Sequence, residues 1–199
     1  AVLDALNPFG YGQLLPRGLL REPKGAIRRA QIVAVSRANQ AEAGTLAALG
    51  REIARLAPGV PVVEVACRPA GILSLGEAGE RPLDELRGKK VFLAAGIGNP
   101  ESFRASAREL GAEAAGEWFV EDHARYDAAM LGEIERRAAA CGAASVLTTH
   151  KDKVKISDLG PRPFPWFVLK IAAEPGAGRG ALEDRLSNIA EAAADTRTS

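Results

Sequence analysis

From Gln31 onward, short apolar blocks alternate with stretches whose apolar residues recur every three to four positions, the pattern of strands alternating with helices. Gln31 to Ser36 (QIVAVS) reads as a short apolar strand. Asn39, with Glu42 three residues later, predicts a capping-box start to a helix whose apolar face is Leu46, Leu49, Ile53 and Leu56, and Pro58 with Gly59 ends it. Val60 to Ala66 (VPVVEVA) is rich in β-branched residues and predicts a strand, whereas Arg68 to Arg87, punctuated by Gly and Pro, predicts irregular chain. Lys90 to Ala95 reads as a buried strand. Asn99 as cap, Pro100 at the first helical position and Gly111 as the stop frame a helix with Phe103, Ala107 and Leu110 facing inward. A strand at Glu117 to Val120, a helix carrying Leu131, Ile134 and Ala138, a strand at Ser145 to Thr149 and a last strand at Trp166 to Ala172 complete the series, before a polar Ala-rich tail. The expected fold is α/β, a mainly parallel, doubly wound sheet with flanking helices.

The first residues break this rhythm. Val2 to Asp4 reads as the end of a buried strand whose beginning lies upstream of Ala1. Residues 5 to 25 (ALNPFGYGQLLPRGLLREPKG) have neither period and are dense in Gly and Pro; the embedded Phe9, Leu14, Leu15, Leu19 and Leu20 predict an ordered, functional loop rather than disorder.

Composition narrows the partners. With 26 Lys+Arg against 25 Asp+Glu the net charge is +1, so no bulk field draws the chain to nucleic acid, and an anion site has to be local. The 199 residues, 47% of them hydrophobic, suffice for a core. Cys67 and Cys141 lie far apart and form no CxxC pair, so no metal site is expected from this chain and both thiols are expected free. No run approaches the roughly eighteen apolar residues of a spanning helix.

Ligands of open α/β sheets sit beyond the carboxyl ends of strands, and three such corners carry candidate chemistry. Gly96 to Pro100 (GIGNP) superficially suggests a dinucleotide loop, but Glu101 stands at the third glycine position and an acid in the first helical turn repels a pyrophosphate, so a structural turn is expected. Asp122 and His123 follow the apolar Trp118 to Val120; a carboxylate beside an imidazole suits general-base or proton-relay work. In Thr148 to Lys155 (TTHKDKVK) the lysines suit phosphate as point charges, with a solvated helix start as the plainer alternative, favoured for Lys153. Arg17, Arg21, Lys24, Arg28 and Arg29 form a fourth, basic concentration, in which Glu22 is expected to hold one guanidinium in place. Gly111 to Gly116 has Walker A spacing, yet Glu117 and Trp118 stand where Lys and Ser/Thr are required, so it is no phosphate loop.

Four blocks, in order, resemble the tetraacyldisaccharide 4'-kinase family. NPFGYGQLLPRGLLREP from Asn7 to Pro23, preceded by Asp4, is similar to the family's D-x-x-x-P-F-G-N-G-x-L-L-P-A-G-P-L-R-E-P, with Tyr11, Arg17 and Leu19 as departures. GKKVFLAAGIGNPESF resembles its strand-turn-helix block, Asp122-His123 with Tyr126 its D-H-x-x-Y, and TTHKDKVK its T-T-E-K-D-A-V-K, with His150 for Glu and Lys153 for Ala.

The resemblance implies ATP-dependent phosphorylation of the 4'-hydroxyl of a tetraacylated glucosamine disaccharide 1-phosphate in lipid A synthesis, with ATP and Mg²⁺, in Gram-negative bacteria. It implies peripheral contact with the cytoplasmic face of the inner membrane. It assigns catalysis to His123, Asp122 and Glu22, and substrate binding to Arg21, Asn7, Gly10 and Gly12, with Lys151, Asp152 and Lys155 as phosphate-binding or structural residues. In the family, the counterpart of His123 pairs with an upstream Asp as a dyad. The P-loop, the Mg-binding acids and that Asp are expected upstream of Ala1, so this chain is expected to be the C-terminal part, inactive alone. Residues 1–28 would then end the nucleotide-binding domain and carry the cleft loop, 29–175 form the C-terminal α/β domain, and 176–199 the tail. The alternative is a non-catalytic module binding an anionic lipid headgroup or a partner through the loop Asn7 to Pro23; a dinucleotide binder ranks below both because of Glu101.

Overall fold

The computed structural model describes residues 1–76, 79–122, 124–157, 160 and 162–197, with side chains described as far as 191. Two compact units form: Ala1–Cys67 with Ala173–Ser199, and Arg68–Ala172. The chain passes between them within strand β3 (Val62–Ser74) and strand β8 (Trp166–Pro175).

In the first unit, β1 (Val2–Asp4) runs parallel to β2 (Val33–Ser36), and β2 parallel to the start of β3. Val33 and Val35, with Val62 packed beside them, point into a core closed by Ala5 and Phe9 from the loop, by Ile27 just after it and by Leu49 and Ile53 from α1 (Ala43–Leu56). Leu46 and Leu56 pack on its margin, as the helical spacing predicts. Two expectations are corrected. Val2 to Asp4 is a strand, but its residues are exposed or half-buried. Asn39 does not cap α1, which starts after Glu42 with no side-chain cap. Asn39 sits in a separate 3-10 turn, where its amide accepts from Cys67 N at 2.9 Å and donates to Cys67 O at 3.2 Å. One side chain thus satisfies both backbone groups of a strand residue, a better use of its two polar atoms than a cap. In the Ala-rich tail, Arg179–Arg197 is a helix, α5.

The second unit holds β5 (Lys90–Gly96), with β6 (Glu113–Val120) parallel on one side and β7 (Ser145–Thr149) parallel on the other, and β8 parallel beyond β7. Alternate residues of β5 serve opposite faces. Val91, Leu93 and Ala95 meet Phe103 and Ala107 of α2 (Pro100–Glu109) and Leu110, its C-cap, whereas Phe92 and Ala94 share a cluster with Leu131, Ile134 and Ala138 of α3 (Ala128–Ala140). A strand buried on both faces reads as a continuous apolar run, which is why β5 was legible. Helices on both faces make this the expected mainly parallel α/β arrangement. Asn99 caps α2 by accepting from Ser102 N at 3.1 Å, with Pro100 at its first position. The 68–87 segment is more ordered than expected: β3 continues to Ser74 and pairs antiparallel with β4 (Glu80–Arg81).

Gly116 explains why β6 accepts a glycine. A Cβ there would lie 2.8 Å from the ring of Phe92, so the absent side chain is what lets that ring pack. Gly116→Ala is expected to destabilise the second unit by about 1–3 kcal/mol, as overpacking does. A lowered urea midpoint checks it, and an unchanged midpoint contradicts it.

Candidate functional site

The candidate residues form two clusters, one in each unit.

In the first unit the loop folds on itself through backbone bonds: Leu19 N donates to Gly10 O at 3.1 Å, Leu20 N to Gln13 O at 3.1 Å and Leu15 N to Leu20 O at 2.9 Å. Glycine is required twice. Gly10 has φ +48° and a Cβ on it would stand 2.7 Å from Leu19 Cβ, while a Cβ on Gly18 would meet Gln13 O at 2.3 Å. Asn7 supports the turn by accepting from Tyr11 N at 3.4 Å. Gly12, with φ +72°, borders a cavity of about 530 Å³ with Leu14, Leu15, Arg17 and Lys24. A neighbouring cavity of about 450 Å³ lies between apolar Leu3, Phe9 and Ile27 and charged Arg21, Glu22 and Arg29.

Within this cluster the ion pairs are selective. Glu22 holds a guanidinium, as expected, and that guanidinium is Arg29's. Lys24 pairs with Glu52 at 3.1 Å and lies 4.4 Å from the centroid of the Phe9 ring. Arg17 and Arg21 are exposed and meet no acceptor among the described residues, so their charge is available to a ligand. Tyr11, Leu14, Leu15 and Leu19 are exposed beside them. The surface is therefore amphiphilic, with cationic and apolar side chains on one loop.

At the carboxyl ends of β1 and β2, Asp4 receives Arg37 Nε at 2.9 Å. Burial pulls the Arg37 pKa down, and interaction with Cys67 pushes it back up. Sequence reading missed this pair, because 33 residues separate the two and only the pairing of β1 with β2 brings them together.

The second cluster lies where β5, β6 and β7 end. His123 lies outside the described residues. Asp122 pairs with Lys151, and Lys155 Nζ donates to Ala124 O at 3.1 Å, so both lysines have acceptors within the protein. Asp152 is fully buried in α4 (His150–Ser157); its Oδ2 accepts from Gly96 N at 3.1 Å and from Thr149 Oγ1 at 2.7 Å. Tyr126 is buried too, and burial first, then the charge of Asp152, raise its phenol pKa well above the usual value. A Cβ on Gly96 would come within 3.2 Å of Asp152 Oδ1 and 3.4 Å of the Tyr126 hydroxyl. Glu101, the acid that disfavours a dinucleotide at this corner, is engaged by Arg104 at 3.1 Å and by Arg108. Thr149, at the head of the same candidate block, is the local partner of Asp152, three residues away.

Among the described residues no three His, Cys, Asp or Glu side chains gather as a metal site, and no helix is long and apolar enough to cross a membrane.

Comparison with known proteins places these features in a family. The tetraacyldisaccharide 4'-kinase of Anaeromyxobacter sp. (strain Fw109-5) is 40% identical over 192 residues, covering 96% of this chain and 50% of that protein. That of Anaeromyxobacter dehalogenans (strain 2CP-C) is 45% identical over 157 residues, 78% of this chain and 41% of that protein. The chain spans about half the length of the curated relatives it matches. In fold it is similar to the crystal structure of LpxK from Aquifex aeolicus in complex with ATP, with a TM-score of 0.58 at 22% identity over 94% of this chain and 51% of that one. With the family model for tetraacyldisaccharide-1-P 4'-kinase matching residues 1–191, this chain belongs to that family.

Proposed function

We propose that the protein carrying this chain transfers a phosphoryl group from ATP to the 4'-hydroxyl of a tetraacylated glucosamine disaccharide 1-phosphate, forming the 4'-phosphorylated lipid A precursor. The observation that carries this reading is the family match across residues 1–191.

The loop chemistry agrees with such a substrate, which combines phosphate and sugar with acyl chains. Arg17 and Arg21 offer unpaired cations, and Leu14, Leu15 and Leu19 offer apolar contact. Asn7, Gly10 and Gly12 shape the turn that presents them. In this reading residues 1–28 serve the nucleotide-binding domain, ahead of the α/β domain at 29–175 and the C-terminal 176–199. Glu22 keeps Arg29 in place at the rim of the same cavity. His123, beside Asp122, supports removal of the proton from the sugar hydroxyl, the proton passing to the imidazole or the base it assists. Positioning and charge neutralisation supply most of phosphoryl-transfer catalysis, so Arg21 facing a phosphate is a sufficient role for it. Mg²⁺ would neutralise the nucleotide's phosphates; the described residues do not form a set for it. The protein would work peripherally at the cytoplasmic face of the inner membrane, without nucleic acid.

The exposed loop leucines also favour a second reading, a non-catalytic module for anionic lipid headgroups. Substrate titration separates them. With this chain and detergent-dispersed disaccharide 1-phosphate, Arg21→Ala is expected to weaken binding about ten- to hundredfold, the worth of a charge-assisted hydrogen bond. Affinity unchanged by Arg21→Ala contradicts the site. Equal affinity for the disaccharide and for a simple anionic phospholipid favours the module.

A further inference from the structure

The segment between β6 and α3 belongs to neither element. It follows Val120 and ends at Asp127, the cap of α3, and among its described residues the one internal backbone bond is Ala124 N donating to Glu121 O at 3.0 Å. Such a segment needs outside support to hold one conformation. A short helix, α4, supplies part of that support. Lys151 and Lys155, four residues apart and therefore on one face of α4, reach Asp122 and the carbonyl of Ala124. From the same helix, Ile156 shares a core cluster with Tyr126, and Lys155 Nζ stands 6.0 Å from the Tyr126 ring centroid.

The helix is itself keyed to the sheet. Asp152, with no exposed surface, is fixed by Gly96 N at the end of β5 and by Thr149 at the end of β7. Gly96 is the meeting point: a Cβ there would lie 3.2 Å from Asp152 Oδ1, and 3.4 Å from both Glu121 O and the Tyr126 hydroxyl. Asp152 Oδ1 and the Tyr126 hydroxyl are both buried with no hydrogen-bond partner among the described residues, and both border this one point. Gly96, Tyr126 and Asp152 come from three separate sequence blocks, and the structure turns them into one support.

We propose that α4 is the positioning element of the proposed kinase site, with Asp152 as its buried anchor and Lys151 and Lys155 as the arms that set where Asp122, Ala124 and Tyr126 lie. The lysines of this block are thereby positioning residues rather than phosphate ligands. This rests on the kinase reading for its consequence in catalysis, and on geometry alone for the support itself.

Two measurements test it. In this chain, Lys155→Met keeps the aliphatic stem and removes the bond to Ala124; amide hydrogen exchange at Asp122, Ala124, Arg125 and Tyr126 is expected to rise about tenfold or more, with β5 and β7 unchanged. In the protein extended upstream to the length of its relatives, the same change is expected to lower kcat about ten- to hundredfold with KM for ATP unaltered, as small misplacements of reacting groups do. Lys155→Arg, which keeps a donor, is expected to restore most of the rate. Unchanged exchange in the segment overturns the proposal, as does a rise spread equally over β5 and β7, which marks general destabilisation. A kcat unaffected by Lys155→Met overturns its catalytic consequence. If the extended wild-type protein transfers no phosphate, the kinase reading fails; exchange then decides alone, a confined rise upholding the support.

Discussion

Glu135→Ala is expected to destabilise the unit Arg68–Ala172 by about 3–5 kcal/mol, the cost of breaking one partner out of a buried ion pair. Glu135 lies on α3 yet is buried, its side chain 10% exposed, and it accepts from Arg162 Nε at 2.8 Å and from Trp166 Nε1 at 2.9 Å. Removing the carboxylate strands a guanidinium that is itself 13% exposed and leaves the indole N–H of a buried tryptophan without an acceptor. Trp166 provides its own readout, because its fluorescence follows the unfolding of the strand that carries it. Glu135→Gln keeps an acceptor for the indole and is expected to cost less than Glu135→Ala. Equal urea midpoints for wild type and Glu135→Ala would show that the pair contributes nothing net.

The second large effect concerns chemistry. In the extended protein, His123→Ala is expected to lower kcat about 10²- to 10⁴-fold, the range for losing a positioned acid-base group, with little change in KM for ATP. Arg21→Ala is expected to behave differently and raise KM for the disaccharide, because the role proposed for its charge is on bound phosphate. Steady-state kinetics with each substrate varied separates the two, and a loss in KM alone for His123→Ala would place that residue in binding rather than proton transfer.

Much of this was legible because the physics was local. The two-faced burial of Val91 to Ala95 appears as an uninterrupted apolar run, and the cap, proline and stop of α2 all lie between Asn99 and Gly111. What stayed hidden depends on distant partners. Residues 113–116 read poorly as strand, since Ala and Gly have low β propensity, yet register with Lys90 to Phe92 imposes extended chain there. Continuation of β3 beyond Pro69 was masked by its Pro and Gly, residues that ordinarily punctuate a strand. Asn39 looked like a helix cap because its true partner, Cys67, lies 28 residues on. The lysines of the TTHKDKVK block looked free for phosphate for the same reason: Asp122 and Ala124 are 29 and 31 residues away in sequence. The basic loop was correctly sensed, including Glu22 as a holder of one arginine, although composition alone did not say which.

Transfer of labelled phosphate from ATP to the disaccharide 1-phosphate tests the central claim most directly, with this chain compared against the protein extended upstream to the length of its relatives. The account predicts transfer by the extended protein and none by this chain, whose sequence contains no GxxxxGK[ST] phosphate loop. Absence of transfer by the extended protein, with headgroup binding intact, would contradict the kinase reading and leave a lipid-binding module in its place.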